Sequence, residues 1–365
     1  VVSAGVSGTD RVWLHDMTLE RASGGTIEID EIQELIEAAL LALFRGLAES
    51  DGFNRLVLEA GLGWRDVAMM RALGRYLRQV IIPYAQDYLA ETLARHSAIA
   101  VKVVQLFYAR FDPRVEDSEV RAATQAEIRA VIEEQLKNVT SLDDDRILRR
   151  FINLVEAAIR TNFFQLEGNG LPRQTIAFKF ECARVEGLPL PKPLYEIFVY
   201  SPRVEGIHLR YGKVARGGLR WSDRPQDFRT EVLGLVKAQQ VKNAVIVPVG
   251  AKGGFVPKRL PPPTDRQAWL AEGTESYRIF GAPCCSSPTT SSATTWCRRR
   301  RRCATTGTTP IWSLRPTRAR PPSRTRRTSS PSRRGIGSGT PSRPAAARAT
   351  TTRRWASRPA AHGRR

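Results

Sequence analysis

The 365 residues of this chain are enough for two or three domains and a sizeable core. Its 57 Lys and Arg against 36 Asp and Glu give a formal net charge of +21, which invites a nucleic-acid reading. Residues 281–365, however, carry 20 Arg and no Lys, Asp or Glu, leaving 37 basic against 36 acidic residues in 1–280, so the near-neutral body is excluded as a broad polyanion-binding surface.

In chain order, the first residues lack both an initiator Met and a basic-then-apolar signal pattern, so the chain reads as starting inside a longer protein. No apolar run is long enough to span a bilayer, and no membrane partner is expected. Residues 1–170 read as a mostly helical region. Asp30 and Gln33 form a plausible capping pair ahead of a stripe of Ile32, Leu35, Ile36, Leu40, Leu43 and Leu47. Val67 to Ile82 resumes the helical period, and Tyr84 to Phe111 reads as one long amphipathic segment ending at Asp112-Pro113. A further helix is expected over 118–137. Ser141 then caps the next one, with Asp143 to Asp145 in its first turn, where carboxylates complement the helix dipole. His15 and His96 have no partner cluster in the sequence.

After Gly168 the texture changes to strands: Thr175–Cys182, Tyr195–Tyr200 and Ile207–Tyr211, with His208 as a strand-face residue and Cys182 as a small buried thiol. Residues 171–280 therefore read as a partial α/β substrate domain. A body with a single cysteine suits a reducing, cytoplasmic setting. Cys284, Cys285, Cys297 and Cys303 fit no zinc spacing, so no metal is expected.

The stretch from Arg216 to Gly254 combines glycines, cations and a helix at spacings that read as a site. Arg216-Gly217-Gly218 sets a cation beside two residues that allow close approach to the backbone. Pro225 and Asp227 mark a helix start, and Phe228, Val232, Leu235 and Val236 give its apolar face. Gln239 and Lys242 sit three apart on one face, where an amide and an ammonium could hold a carboxylate. Val245 to Val247 reads as a buried strand, followed by a glycine turn, Gly250-Ala251-Lys252-Gly253-Gly254, placing Lys252 at a cleft. Partial burial near other cations would lower the pKa of Lys252 toward that of a usable base. No Ser or Thr follows this lysine, so the P-loop pattern is absent.

These residues resemble the substrate-binding domain of glutamate dehydrogenases, and more closely the very large NAD-specific bacterial type. The smaller enzymes carry Lys-Gly-Gly-Leu-Arg, Gln-x-x-Lys on a helix, and Pro-x-Gly-Gly-x-Lys-Gly-Gly. Here these stand as Arg216 to Arg220, Gln239 to Lys242, and Pro248 to Gly254, with arginine replacing the first lysine and one residue fewer before Lys252. The match is strong from Tyr211 to Phe280. The resemblance implies an amino-acid dehydrogenase fold, with Lys252 as the catalytic lysine assisting water attack on the imino acid. Gln239 and Lys242 would hold the α-carboxylate of glutamate, and Arg216 would approach its side-chain carboxylate. It also implies NAD as cofactor, oxidative deamination of L-glutamate to 2-oxoglutarate and ammonia, a linking or regulatory place for residues 1–170, and a homo-oligomer in the full-length family. Related dehydrogenases use leucine, phenylalanine or valine; Arg216 favours an acidic side chain.

Asp265 to Phe280 reads as a final helix. Residues 281–365, rich in Arg, Ser, Thr and Pro, have no periodic apolar face and read as a disordered tail. Two origins compete: a genuine arginine arm that binds nucleic acid, making the chain a non-catalytic binding protein, or GC-rich coding sequence read out of frame from about Phe280. The absence of Lys, Asp and Glu across the tail, and the end of the family wording in mid-helix, favour the second. The family also needs a downstream aspartate and a dinucleotide-binding domain, and no Gly-x-Gly-x-x-Gly appears. The chain as it stands is thus expected to hold half a substrate site, no place for NAD, and no activity of its own.

Overall fold

The computed structural model describes residues 3–7, 10–14, 24, 29–80, 82–168, 170–212, 217–242, 250–285 and 289–290. The first element is an antiparallel hairpin, β1 (Ser3–Ser7) and β2 (Asp10–Leu14), within the stretch read as mostly helical. Its strands are five residues each, too short to stand out against the helical periods that follow.

Seven helices then succeed one another: α1 (Ile29–Phe44), α2 (Arg55–Glu59), α3 (Trp64–Gln79), α4 (Gln86–Arg95), α5 (Ser97–Phe111), α6 (Ser118–Leu136) and α7 (Leu142–Ala157). Asp30 lies inside the first turn of α1, and Gln33 donates to Glu37 (2.8 Å) on the next turn instead of closing a capping box. The segment expected as one long helix from Tyr84 is two helices, α4 and α5, meeting at His96, whose backbone leaves the helical region (φ −108°, ψ 48°). The reason lies on α7. Ser141 does cap that helix through Asp144 N (3.3 Å). The buried Asp144 carboxylate, however, serves more than the helix dipole. It takes hydrogen bonds from Tyr88, Thr92 and Arg95, and its Oδ2 lies 3.1 Å from His96 Nε2. Burial alone would raise the Asp144 pKa; the bonds from His96 and Tyr88 and the charge of Arg95 hold it below the ordinary value. His96 thus has a partner that its sequence neighbourhood does not reveal.

The sheet begins at β3 (Ala158–Thr161), before the change of texture, and continues through β4 (Ile176–Glu181), β5 (Tyr195–Tyr200) and β6 (Val204–Arg210) as an antiparallel meander. β7 (Leu219–Trp221), β8 (Ala251–Pro257) and β9 (Thr289–Thr290) complete the order β7-β8-β6-β5-β4-β3-β9, in which only β7 and β8 run parallel. Helix α8 (Phe228–Lys242) lies between β7 and β8 in sequence. Helix α9 (Arg266–Cys285) runs five residues past the expected end at Phe280, into the arginine-rich segment.

Strand alternation assigns the two sheet faces. Phe178, Phe180, Phe198, Tyr200, Ile207, Leu209 and Val256 join α3, α5, α7 and α8 in one large core, which is continuous across residue 170. Ala177, Ile197, Val199, Val204 and Phe255 face the other way, with Trp221 and Phe280, against α9. Cys182 is fully buried and its thiol is pushed up by that burial, as expected of a packing cysteine.

Charged groups also tie the helices to the sheet. Lys258, just beyond β8, lies 2.6 Å from Glu49 and 2.8 Å from Glu205, and Tyr200 donates to Glu49 (2.7 Å). Burial would raise the Glu49 carboxyl, but Lys258 and Tyr200 hold it below its ordinary value.

Candidate functional site

The structure places Lys252 inside strand β8, not in a glycine turn. Its Cα partner is Leu209 on β6, and its neighbour Gly253 pairs with both His208 on β6 and Leu219 on β7. The glycines around it serve close packing, not chain reversal. A Cβ on Gly254 would sit 2.6 Å from Val232 of α8, and one on Gly253 would overlap Leu219 and lie 2.9 Å from His208. With both faces this close, only glycine fits on either. A cluster of glycines reads as a turn in sequence, and nothing local distinguishes that case from a strand pressed between two layers.

Lys252 and Gly254 share a face by alternation, so the half-buried Lys252 is on the side that α8 covers. Gly217 comes to the same place. A Cβ at Gly217 would overlap the backbone carbonyl of Ala251, the residue before Lys252, whereas Gly218 meets nothing within 4 Å. Gly253 N donates to Gly218 O (3.3 Å). The short strand that follows is fastened on both sides. Arg220 pairs with Glu231 of α8 (2.5 Å), Ser222 donates to the same carboxylate (2.5 Å), and Trp221 stacks on Trp269 of α9 at 4.1 Å. The structure therefore brings the residue after Arg216, the α8 helix and Lys252 together at one edge of the sheet. Arg216 and the strand expected at Val245–Val247 lie outside the described residues, as do the side chains of Gln239 and Lys242, whose backbone is the last part of α8.

Helix α8 is anchored at its beginning. Asp227, expected as its cap, has its carboxylate engaged by Arg224. Gln79, the last residue of α3, supplies a cap instead: its Oε1 accepts from Arg229 N (3.1 Å), and its Nε2 donates to Pro225 O (3.0 Å) and Gln226 O (3.2 Å). The Arg229 side chain forks onto Glu196 of β5 at 2.7 and 2.9 Å, both side chains fully buried. Burial would lower the Arg229 guanidinium, and the Glu196 charge more than offsets it, holding Arg229 above its ordinary value. Sequence reasoning passed over Gln79, Glu196 and Arg229; the only local signal was a carboxylate inside an otherwise apolar strand.

The opposite sheet face holds other buried basic groups. Burial pushes the Lys179 ammonium down to about 8, with Arg160 and Arg210 adding to the shift, and its Nζ lies 4.2 Å from the Tyr195 ring centroid. Burial likewise pushes the His208 imidazole down to about 3, with Arg210 contributing. This has a consequence for stability. The unfolded chain takes up a proton at His208 below about pH 6.5, while the folded chain does not until about 3. The stabilisation is therefore present above pH 6.5 and is lost as pH falls through that window. Urea unfolding should show wild type losing up to about 2 kcal/mol from this group between pH 6.5 and 5. His208→Gln should flatten that slope, and equal slopes in the two proteins would contradict the assignment.

Among the described residues, no group of three His, Cys, Asp or Glu is placed to hold a metal ion, and no helix is long and apolar enough to cross a membrane.

Comparison with known proteins gives the family of the chain. Residues 131–283 match the family model for the bacterial NAD-glutamate dehydrogenase catalytic domain, and residues 48–113 match that for glutamate dehydrogenase helical motif 3. The NAD-specific glutamate dehydrogenase of Pseudomonas aeruginosa is 52% identical over 269 residues, which are 73% of this chain and 17% of that protein. The protein of the same name from Halomonas elongata is 51% identical over 275 residues (73% and 16%), and that from Mycobacterium tuberculosis 53% over 248 (66% and 15%). The chain thus spans about a sixth of the length of these curated relatives. The two matched segments meet where α3 of the helical segment caps α8 of the catalytic one. With about half its residues identical to these relatives over most of its length, the chain belongs to the bacterial NAD-specific glutamate dehydrogenase family.

Proposed function

We propose that this chain carries the substrate half of a glutamate dehydrogenase site. The observation that supports it most is the convergence on β8: Gly217 packs against the Ala251 backbone next to Lys252, and Val232 of α8 packs against Gly254 on the face that Lys252 shares. In this reading Lys242 and Gln239 hold the α-carboxylate of glutamate, and Arg216 approaches its side-chain carboxylate. Lys252 takes a proton from the water that attacks the imino carbon, on the way to 2-oxoglutarate and ammonia. A lysine between two cationic carboxylate anchors fits a dicarboxylate better than a branched or aromatic amino acid.

The family uses NAD as the oxidant, and the described residues do not fit it. Apart from β7 and β8 the sheet is antiparallel, and neither strand-to-helix connection, 222–227 or 258–265, contains a glycine for a pyrophosphate to approach. The 365-residue chain alone is accordingly expected to bind substrate without turning it over.

Calorimetric titration of the purified chain checks both points. It should bind 2-oxoglutarate at least about tenfold more tightly than 4-methyl-2-oxopentanoate, with binding lost in Lys242→Ala (a tenfold difference being about 1.4 kcal/mol). Tighter binding of the branched acid would move the assignment to another amino acid. Glutamate-dependent NADH formation above a Lys252→Ala background would overturn the inactivity.

A further inference from the structure

We propose that Gln79 on α3, together with the buried Glu196–Arg229 pair, positions α8 for substrate binding, so that the helical segment is a working part of the site. This rests on the reading that Lys242 and Lys252 serve one substrate.

The geometry of α8 makes the role necessary. Among the described side chains of this helix, the buried apolar ones, Phe228, Val232, Leu233 and Val236, lie in its first nine positions, and Lys237 and Ala238 are exposed. The described anchors of α8 at Arg229 lie at the end opposite the half that carries Gln239 and Lys242. Arg229 and Lys242 are 13 residues apart, about 20 Å along a helix. A tilt of about 5° at the first turn would displace Lys242 by about 2 Å, and a misplacement of about 1 Å can cost on the order of a hundredfold in a preorganised site.

Five hydrogen bonds, two from Glu196 and three from Gln79, resist that tilt, and they come from two directions. Glu196 holds the Arg229 guanidinium from the sheet beneath, with two bonds in a fixed fork. Gln79 holds Arg229 N and the two carbonyls before the helix from the side. The first N–H groups of a helix have no partner within it, and here one of them is answered by a residue 150 positions upstream. The Gln79 side chain is buried and satisfied at both its oxygen and its nitrogen, so it cannot swing away without leaving unpaired groups in the core.

The test compares wild type with Gln79→Leu, which removes all three bonds, and Gln79→Glu, which keeps the acceptor for Arg229 N. Amide hydrogen exchange across 230–242, calorimetric affinity for 2-oxoglutarate and melting temperature are measured on each. Gln79→Leu should speed exchange in α8 at least about tenfold and weaken 2-oxoglutarate binding about five- to tenfold, with a melting temperature within a few degrees of wild type. Gln79→Glu should recover part of the affinity. Unchanged exchange in Gln79→Leu overturns the proposal, as does faster exchange with unchanged affinity, which would make the contact structural only. A wild-type chain that binds no 2-oxoglutarate instead overturns the substrate reading itself, and the proposal falls with it. The two failures differ in whether wild type binds.

Discussion

Replacing Glu196 by Gln should destabilise the protein by about 3–5 kcal/mol, the cost of leaving a buried charge without its partner. The Arg229 guanidinium is fully buried, and two of its nitrogens bond that one carboxylate. Its Nη1 has no hydrogen-bond partner among the described residues, so nothing there can take over the charge. The same principle separates the pair from its geometry. A double replacement, Glu196→Met with Arg229→Met, removes both charges and keeps most of the volume, and should recover most of the lost stability. Chemical denaturation of Glu196→Met, Arg229→Met and the double variant against wild type forms the cycle. A Glu196→Gln cost below about 1 kcal/mol would contradict the burial of the pair.

The two adjacent glycines of the Arg-Gly-Gly sequence should respond in opposite ways to alanine. At Gly217 the new methyl overlaps the Ala251 backbone carbonyl, which cannot rotate aside, so β7 must part from β8. Overpacking against side chains costs about 1–3 kcal/mol, and against backbone we expect the upper end or more. At Gly218 there is open space and no left-handed backbone, so the change should stay within about 0.5 kcal/mol. Unfolding midpoints of the two variants decide it. Similar effects at both positions would mean that β7 is not seated as described.

The pair also shows how far the sequence carried the account. Gly217 was read as open to a ligand, and the structure has the Ala251 backbone there; the strand at Tyr195–Tyr200 was legible to the residue, because an aromatic and β-branched run behind a proline-rich turn has a local cause. Of the candidate site residues, Lys252 was assigned to the wrong local structure, a turn where the chain forms a strand. Gly250 to Gly254 looked like a turn because the layers that demand glycine there, α8 on one side and His208 and Leu219 on the other, come from distant segments. The break between α4 and α5 was hidden for the same reason: Asp144, which holds His96 there, lies 48 residues away. Gln79 is the extreme case. A glutamine near a helix end is common, and only the tertiary structure shows it answering Arg229 N.

The central claim is that Lys252 does the chemistry. Its most direct test is kcat in a chimera, with residues 48–280 of this chain replacing the matching segment of the Pseudomonas aeruginosa relative, and with Lys252 intact or changed to Ala. The account predicts glutamate-dependent NAD reduction by the chimera. It also predicts a fall of at least about a hundredfold in kcat for Lys252→Ala, the lower range for removing a general acid–base group, with little change in KM. A Lys252→Ala chimera that keeps its kcat within a few fold of the parent would contradict it.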